Sequence, residues 1–147
     1  MKFRLIIDQD APEEVVVTAR GRSELTDRLE EMVLQYAGED QLIGYTEDDM
    51  RMLHLHEIEM ITVVDGKTWA LDGQGEMLRL RQRLYEIEER LPAYFVRINK
   101  SSIVNEKHLV RFASGFSGAV DAVLRCGKKE YVSRRCFSQI KRRYSGK

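Results

Sequence analysis

Only two of the 147 residues are cysteine, Cys126 and Cys136. Two thiols make no disulfide framework, and a reducing, cytoplasmic setting fits them. The apolar runs are short, as in Val15-Val16-Val17 and residues 61–64. A bilayer-spanning helix needs roughly 20 such residues, so none is expected. Met1 to Ile7 alternate charged and apolar side chains and hold no signal-peptide core, so secretion is not expected either. There is no GxGxxG or GxxxxGK(S/T) phosphate loop, no GxSxG elbow and no HExxH. Carboxylates such as Glu86, Glu88 and Glu89 fall in charge runs that read as a solvated helix face. No nucleophile stands beside an evident base. An enzyme, a cofactor and a small-molecule substrate are therefore not expected. Repeats and low-complexity tracts are absent.

What is present suits one domain with a small appendage. Apolar residues make up 43% and charged residues 33%, enough for a core. The net charge of zero conceals an asymmetry. Residues 1–59 carry 6 Lys/Arg against 15 Asp/Glu, a balance of −9. Residues 60–147 carry 18 against 9, a balance of +9, and the segment from Arg97 onward alone carries 13 against 3. A basic half beside an acidic half implies one region that faces a polyanion and one that avoids it, or two halves that attract each other in the fold.

The chain opens as strand, strand, helix. Residues 2–8 and 13–19 have strand composition, with a turn at Gln9-Asp10-Ala11-Pro12. Ser23 is a helix N-cap, Leu25, Leu29, Met32, Val33 and Tyr36 follow at helical spacing, and Gly38 suits the C-cap. Short strands are then expected at 41–46, 50–54 and 56–64. Asp65-Gly66 is a hairpin turn, and Trp69 and Leu71 lie on the returning strand, closed by Asp72-Gly73-Gln74-Gly75. A strand near 77–81 and a helix near 83–91 lead to Pro92. Further strands follow at 94–98, 102–104, 109–113, 119–126 and 130–132, with a loop at 114–118. Ser133 caps a last helix containing Phe137, Ile140 and Tyr144.

Three groups of side chains invite a chemical reading. His54 and His56 share a strand face beside Glu57, a spacing open to zinc, though half-exposed strand residues are the plainer reading. Cys136 follows Arg134 and Arg135 in a first helical turn, where cations favour thiolate, but two ordinary buried thiols are the simpler account. The basic stretch is harder to set aside. Lys100, Lys107, Arg111, Lys128, Lys129, Arg134, Arg135, Lys141, Arg142 and Arg143 sit on turns, strand ends and one short helix, several beside small polar residues. Arginine can fork onto guanine, and serine hydroxyls can hold phosphate.

Residues 95–105, FVRINKSSIVN, resemble the F-x-R-x-x-x-S-x-x-V-N segment of LytTR-type DNA-binding domains. Residues 84–92, LYEIEERLP, are similar to that family's preceding short helix. Tyr131-Val132-Ser133-Arg134-Arg135, with Phe137, Ile140 and Lys141, resembles its closing motif. The likeness runs from about Met50 to Tyr144. Asn99 stands where the family often has His.

The resemblance implies a mostly β (α+β) fold of elongated, small antiparallel sheets with short helices, here preceded by the strand–strand–helix unit. It implies that loops, not a recognition helix, enter successive major grooves. By this likeness Lys100, in the Asn99–Ser101 loop, Arg135, at the start of the last helix, and Thr68, in a turn with Lys67 and Trp69, stand near bases. Asn99, Ser101, Ser133 and Arg134 accompany them as DNA-binding positions. The roughly 45 residues before the match are too few for a phospho-acceptor receiver, which places the chain with receiver-less members that a membrane protein encoded alongside often controls.

The expectation is thus a cytoplasmic transcriptional regulator that binds double-stranded DNA at repeated half-sites. Residues 1–45 would form an accessory unit for homodimerisation or partner docking, and 46–147 the DNA-binding domain. Arg142 and Arg143, on the exposed side of the last helix, would meet phosphates. Two rivals remain: a terminal helix that reads DNA through Lys141, Arg142 and Arg143, and a protein-interaction or ligand-sensing module with a basic docking face.

Overall fold

The computed structural model describes residues 2–12, 14–115 and 118–145. Glu13, expected in a strand, and Phe116 and Ser117, expected in a loop, lie outside the described residues. The element order is α1 (Glu24–Ala37), β1 (Gln41–Tyr45), β2 (Met50–His54), β3 (Ile58–Val64), β4 (Lys67–Asp72), β5 (Met77–Leu80), α2 (Leu84–Glu88), β6 (Phe95–Asn99), β7 (Ser102–Asn105), β8 (Leu109–Ser114), β9 (Val120–Leu124), β10 (Lys129–Val132) and α3 (Arg134–Ser145). The strands form a seven-stranded antiparallel sheet in the order β2-β1-β5-β4-β3-β7-β6 and a three-stranded one in the order β10-β9-β8.

Local chemistry explains most of these boundaries. Ser23 and Thr26 cap α1 reciprocally: Thr26 N–H donates to Ser23 Oγ at 3.3 Å, and Ser23 N–H to Thr26 Oγ1 at 2.9 Å. Gly38 closes the helix at a φ of 71°, where other residues are strained. Asp65 and Gly66 both have positive φ, 52° and 76°, and so make the turn that matches strand twist. β3 begins at Ile58, not His56, because Leu55–Glu57 form a single 3₁₀ turn. The buried amide of Asn105 holds that turn by donating to the carbonyls of His56 and Ile58 at 3.4 and 3.1 Å. α2 is shorter than expected. After Glu88 the chain goes on in tight turns, Arg90 N–H to Ile87 O and Leu91 N–H to Glu88 O, before Pro92.

The two core clusters lie on opposite faces of the large sheet. Neighbours such as Ala70 and Leu71, or Ile103 and Val104, belong to different clusters, as strand alternation requires. One face is covered by Leu84 and Ile87 of α2. The other packs against the small sheet and Ile140 of α3. β1 approaches β5 closely because Gly44 has no side chain: a Cβ there would stand 2.8 Å from Leu78 Cβ.

Two expectations change at the N-terminal end. Residues 2–8 and 14–19 form no strand, although the turn between them is made, with Ala11 N–H on Asp8 O at 3.2 Å. A strand needs a neighbour to take its ladder bonds, and a lone hairpin is marginal in water. In addition β1, which the sequence groups with the accessory unit, is hydrogen-bonded into the large sheet between β2 and β5. The structural junction therefore falls at Gly38–Glu39.

Candidate nucleic-acid interface

One groove of about 820 Å³ gathers five of the nine expected site residues. Its walls come from the β6–β7 hairpin (Asn99, Lys100, Ser101), from Tyr131 of β10 and from the start of α3 (Ser133, Arg135, Gln139). Backbone bonds fix the walls relative to one another. Ser133 N–H donates to Ile98 O at 2.8 Å, and Val63 N–H to Ser101 O at 2.9 Å. Ser133 Oγ caps α3 by accepting from Cys136 N–H at 3.2 Å.

Asn99 is the link between the walls. Its Nδ2 donates to Tyr131 O at 2.7 Å, and its Oδ1 accepts from Ser101 N–H at 2.8 Å. With both ends of the amide used and only 9% of its surface exposed, Asn99 shapes the loop. Its neighbour, Lys100, is exposed at the tip. Its carbonyl accepts from Arg97 Nη1 at 2.7 Å, and Arg97 is itself paired with Glu88 at 2.9 Å. The backbone under Lys100 is thus held in place while its ammonium has no partner among the described residues. Arg135 is likewise exposed and unpaired.

The remaining expected residues are placed elsewhere. Thr68 is the second residue of β4, not part of the turn, and is only 6% exposed. With Asp65-Gly66 as the whole turn, strand alternation points Thr68 into the protein beside Leu80. It is unavailable to a base. Lys67 and half-buried Trp69 border a smaller cleft with Lys128 next to the groove. Arg134 falls in a third cleft with Phe137 and Lys141, because successive helical residues point about 100° apart.

Not every cation of the basic stretch is free. Arg143, expected on phosphate, donates to Ala93 O at 2.9 Å and pairs with Glu106 at 3.2 Å. The same carboxylate binds Arg22 and accepts from the Tyr144 hydroxyl at 2.7 Å. Lys107 pairs with Glu31 of α1 at 2.9 Å. These bonds attach α1 and its leading segment to the domain, so the acidic and basic halves do attract each other in part. Lys141 lies over the Phe137 ring at 4.8 Å. The helix-reading rival therefore keeps Arg142 as its one unengaged cation among the described residues.

The Tyr144 phenol is pushed up to about 12, first by burial and then by Glu106. In the unfolded chain it would ionise near 10. Its contribution to stability is complete below that pH and is lost as pH rises toward 12. Denaturant melts should show this loss in the parent and a smaller one in Tyr144→Phe. Identical pH profiles would mean that the hydroxyl contributes nothing.

His54 and His56 stack at 5.6 Å, and no three metal-ligating side chains gather among the described residues. Cys126 and Cys136 are both free, and burial pushes the Cys126 thiol up from its usual value, which disfavours a reactive thiolate. Sequence reasoning missed Arg97 as the brace under Lys100, and it missed Gln139. The signal for Gln139 was available: it stands four residues after Arg135, on the same helix face.

The sequence model of the LytTr DNA-binding domain family matches residues 48–145. A protein of Staphylococcus aureus, strain bovine RF122 / ET3-1, whose name describes an HTH-type transcriptional regulator, is 31% identical over 104 residues, 71% of this chain and 70% of that one. A protein of the same description from strain COL is 30% identical over the same shares. The LytTr DNA-binding domain of a methyl-accepting/DNA response regulator from Bacillus cereus superposes with a TM-score of 0.64 at 20% identity, over 70% of this chain and 94% of that domain. At that identity the likeness is one of fold. The "HTH" of the relatives' names has no counterpart here: among the described residues, strands separate all three helices.

Proposed function

The chain belongs to the LytTr DNA-binding domain family, and on that premise we propose that it is a cytoplasmic transcriptional regulator that binds double-stranded DNA sequence-specifically at repeated half-sites. It reads bases through the Lys100 loop and the start of α3, with phosphates held by surrounding lysines and arginines. The observation that carries this reading is the pairing of two unengaged cations, Lys100 and Arg135, on one groove whose walls are fixed by Asn99 and by backbone bonds. A preformed pair of donors suits base edges, since a forked arginine contact distinguishes guanine from other bases. Free Lys67, Lys129, Arg134 and Arg142 suit the sugar-phosphate backbone, which positions without specifying.

The test compares a specific site with random DNA. Arg135→Ala and Lys100→Ala should each cost about 1–3 kcal/mol on the specific site and little on random DNA. Arg142→Ala should weaken both about equally. Selectivity residing at Arg142 and absent at Lys100 and Arg135 would reverse the assignment.

Two half-sites need two copies of the domain, and we assign the N-terminal unit to bringing them together. Its support is exposed apolar surface. Ile7 is 82% and Tyr36 93% exposed, in company with Phe3, Val16 and Met32, which is more than a monomer ordinarily shows in one region. Residues 2–8 and 14–19 also leave their backbone groups without a ladder, which a second copy would supply. Sedimentation at tens of micromolar should give a dimer. A monomer that still binds one half-site tightly would show that this surface has another use.

A further inference from the structure

Among the side chains that line the groove, this reading leaves Gln139 idle. Gln139 is exposed, and its amide has no hydrogen-bond partner among the described residues. It stands one helical turn beyond Arg135 on the same wall of the groove. Its helix is rigidly seated: Ile140 is buried in the core, Ser133 caps the first turn, and Ser133 N–H is tied to β6.

We infer that Gln139 is a specificity-determining residue of this interface and reads the adenine of an A·T pair within about two steps of the base pair that Arg135 contacts. The inference rests on the DNA reading above. Glutamine presents an acceptor and a donor side by side. Adenine presents the matching donor, N6, and acceptor, N7, in the major groove. Arginine offers donors only and suits the two acceptors of guanine. The two side chains therefore favour different bases. Four residues of helix span about 6 Å, and stacked base pairs lie roughly 3.4 Å apart. The A·T pair accordingly lies within about two steps of the G·C pair read by Arg135. Because Gln139 is uncharged, its contribution is independent of counterion release.

The experiment selects bound sequences from a random duplex library with the full chain, as parent, Gln139→Ala, Gln139→Glu and Arg135→Ala. Alanine and glutamate are good helix formers at an exposed position, so each variant should fold, which melting verifies. The parent motif should contain an A·T pair within about two steps of a G·C pair. Gln139→Ala should lose preference at the A·T position alone, weaken the best site about 5- to 150-fold and leave the salt slope unchanged. Gln139→Glu should move that position toward cytosine, whose N4 amine donates to a carboxylate. An unchanged motif in both Gln139 variants would overturn the inference. Arg135→Ala separates it from the broader reading. If Arg135→Ala relaxes its own position while the Gln139 variants change nothing, the base-reading groove stands and the role of Gln139 falls. If no variant alters the motif, both fall.

Discussion

Raising the salt from 50 to 200 mM should lower the affinity of the intact chain for its DNA by about 250- to 1,000-fold, a slope of log K against log salt near −4 to −5. Each phosphate neutralised releases condensed counterions, and about five such contacts produce that slope. The structure says which cations to count. Lys67, Lys100, Lys129, Arg134, Arg135 and Arg142 have no carboxylate partner among the described residues. Arg97, Lys107 and Arg143 are paired with Glu88, Glu31 and Glu106 and are left out. A filter-binding or anisotropy series across the salt range measures the slope. A value near zero would remove the electrostatic basis of DNA binding. A value near −8 would mean that the three ion pairs open on the duplex.

Glu59→Ala should destabilise the fold by about 3–5 kcal/mol, because it breaks a buried polar junction and leaves the partners behind. Glu59 is 0% exposed on β3. Its Oε1 accepts from Cys126 N–H at 2.8 Å, in the turn after β9, and its Oε2 meets His108 Nδ1 and has no other partner. His108 Nε2 in turn lies 2.7 Å from His56 O. The carboxylate thus fastens the three-stranded sheet to the seven-stranded one, at the opposite end of the small sheet's strands from the groove that Lys100 and Arg135 line. Removing it strands a part-buried N–H and an imidazole. For a chain of this size the melting temperature should fall by about 6–20 °C. A fall of less than about 2 °C would show that the junction adds nothing to stability. Because Lys100 and Arg135 are untouched, the surviving folded protein should keep its sequence preference.

Local features were legible in the sequence because their causes lie a few residues apart. Ser23 and Gly38 bound α1, Asp65-Gly66 turn β3 into β4, and Ser133 starts α3, each through bonds or backbone angles within one turn of chain. The alternation that put Ala70 and Leu71 on opposite faces needed only the period of a strand. The resemblance of residues 84–92, 95–105 and 131–141 to one family pointed to the fold and to the groove, where Asn99, Lys100, Ser101, Ser133 and Arg135 converge.

What tertiary structure alone decided is which of those side chains are free. Asn99 looked like a contact residue until Tyr131, 32 positions away, took its amide. Arg143 looked exposed until Glu106 and the Ala93 carbonyl came against it. Residues 2–8 and 14–19 have strand composition, yet a strand exists only where another strand receives its hydrogen bonds, and among the described residues none does. Composition and spacing determine what a segment can form. Whether a donor, a charge or an edge remains unspent depends on partners that only the folded chain brings within bonding distance.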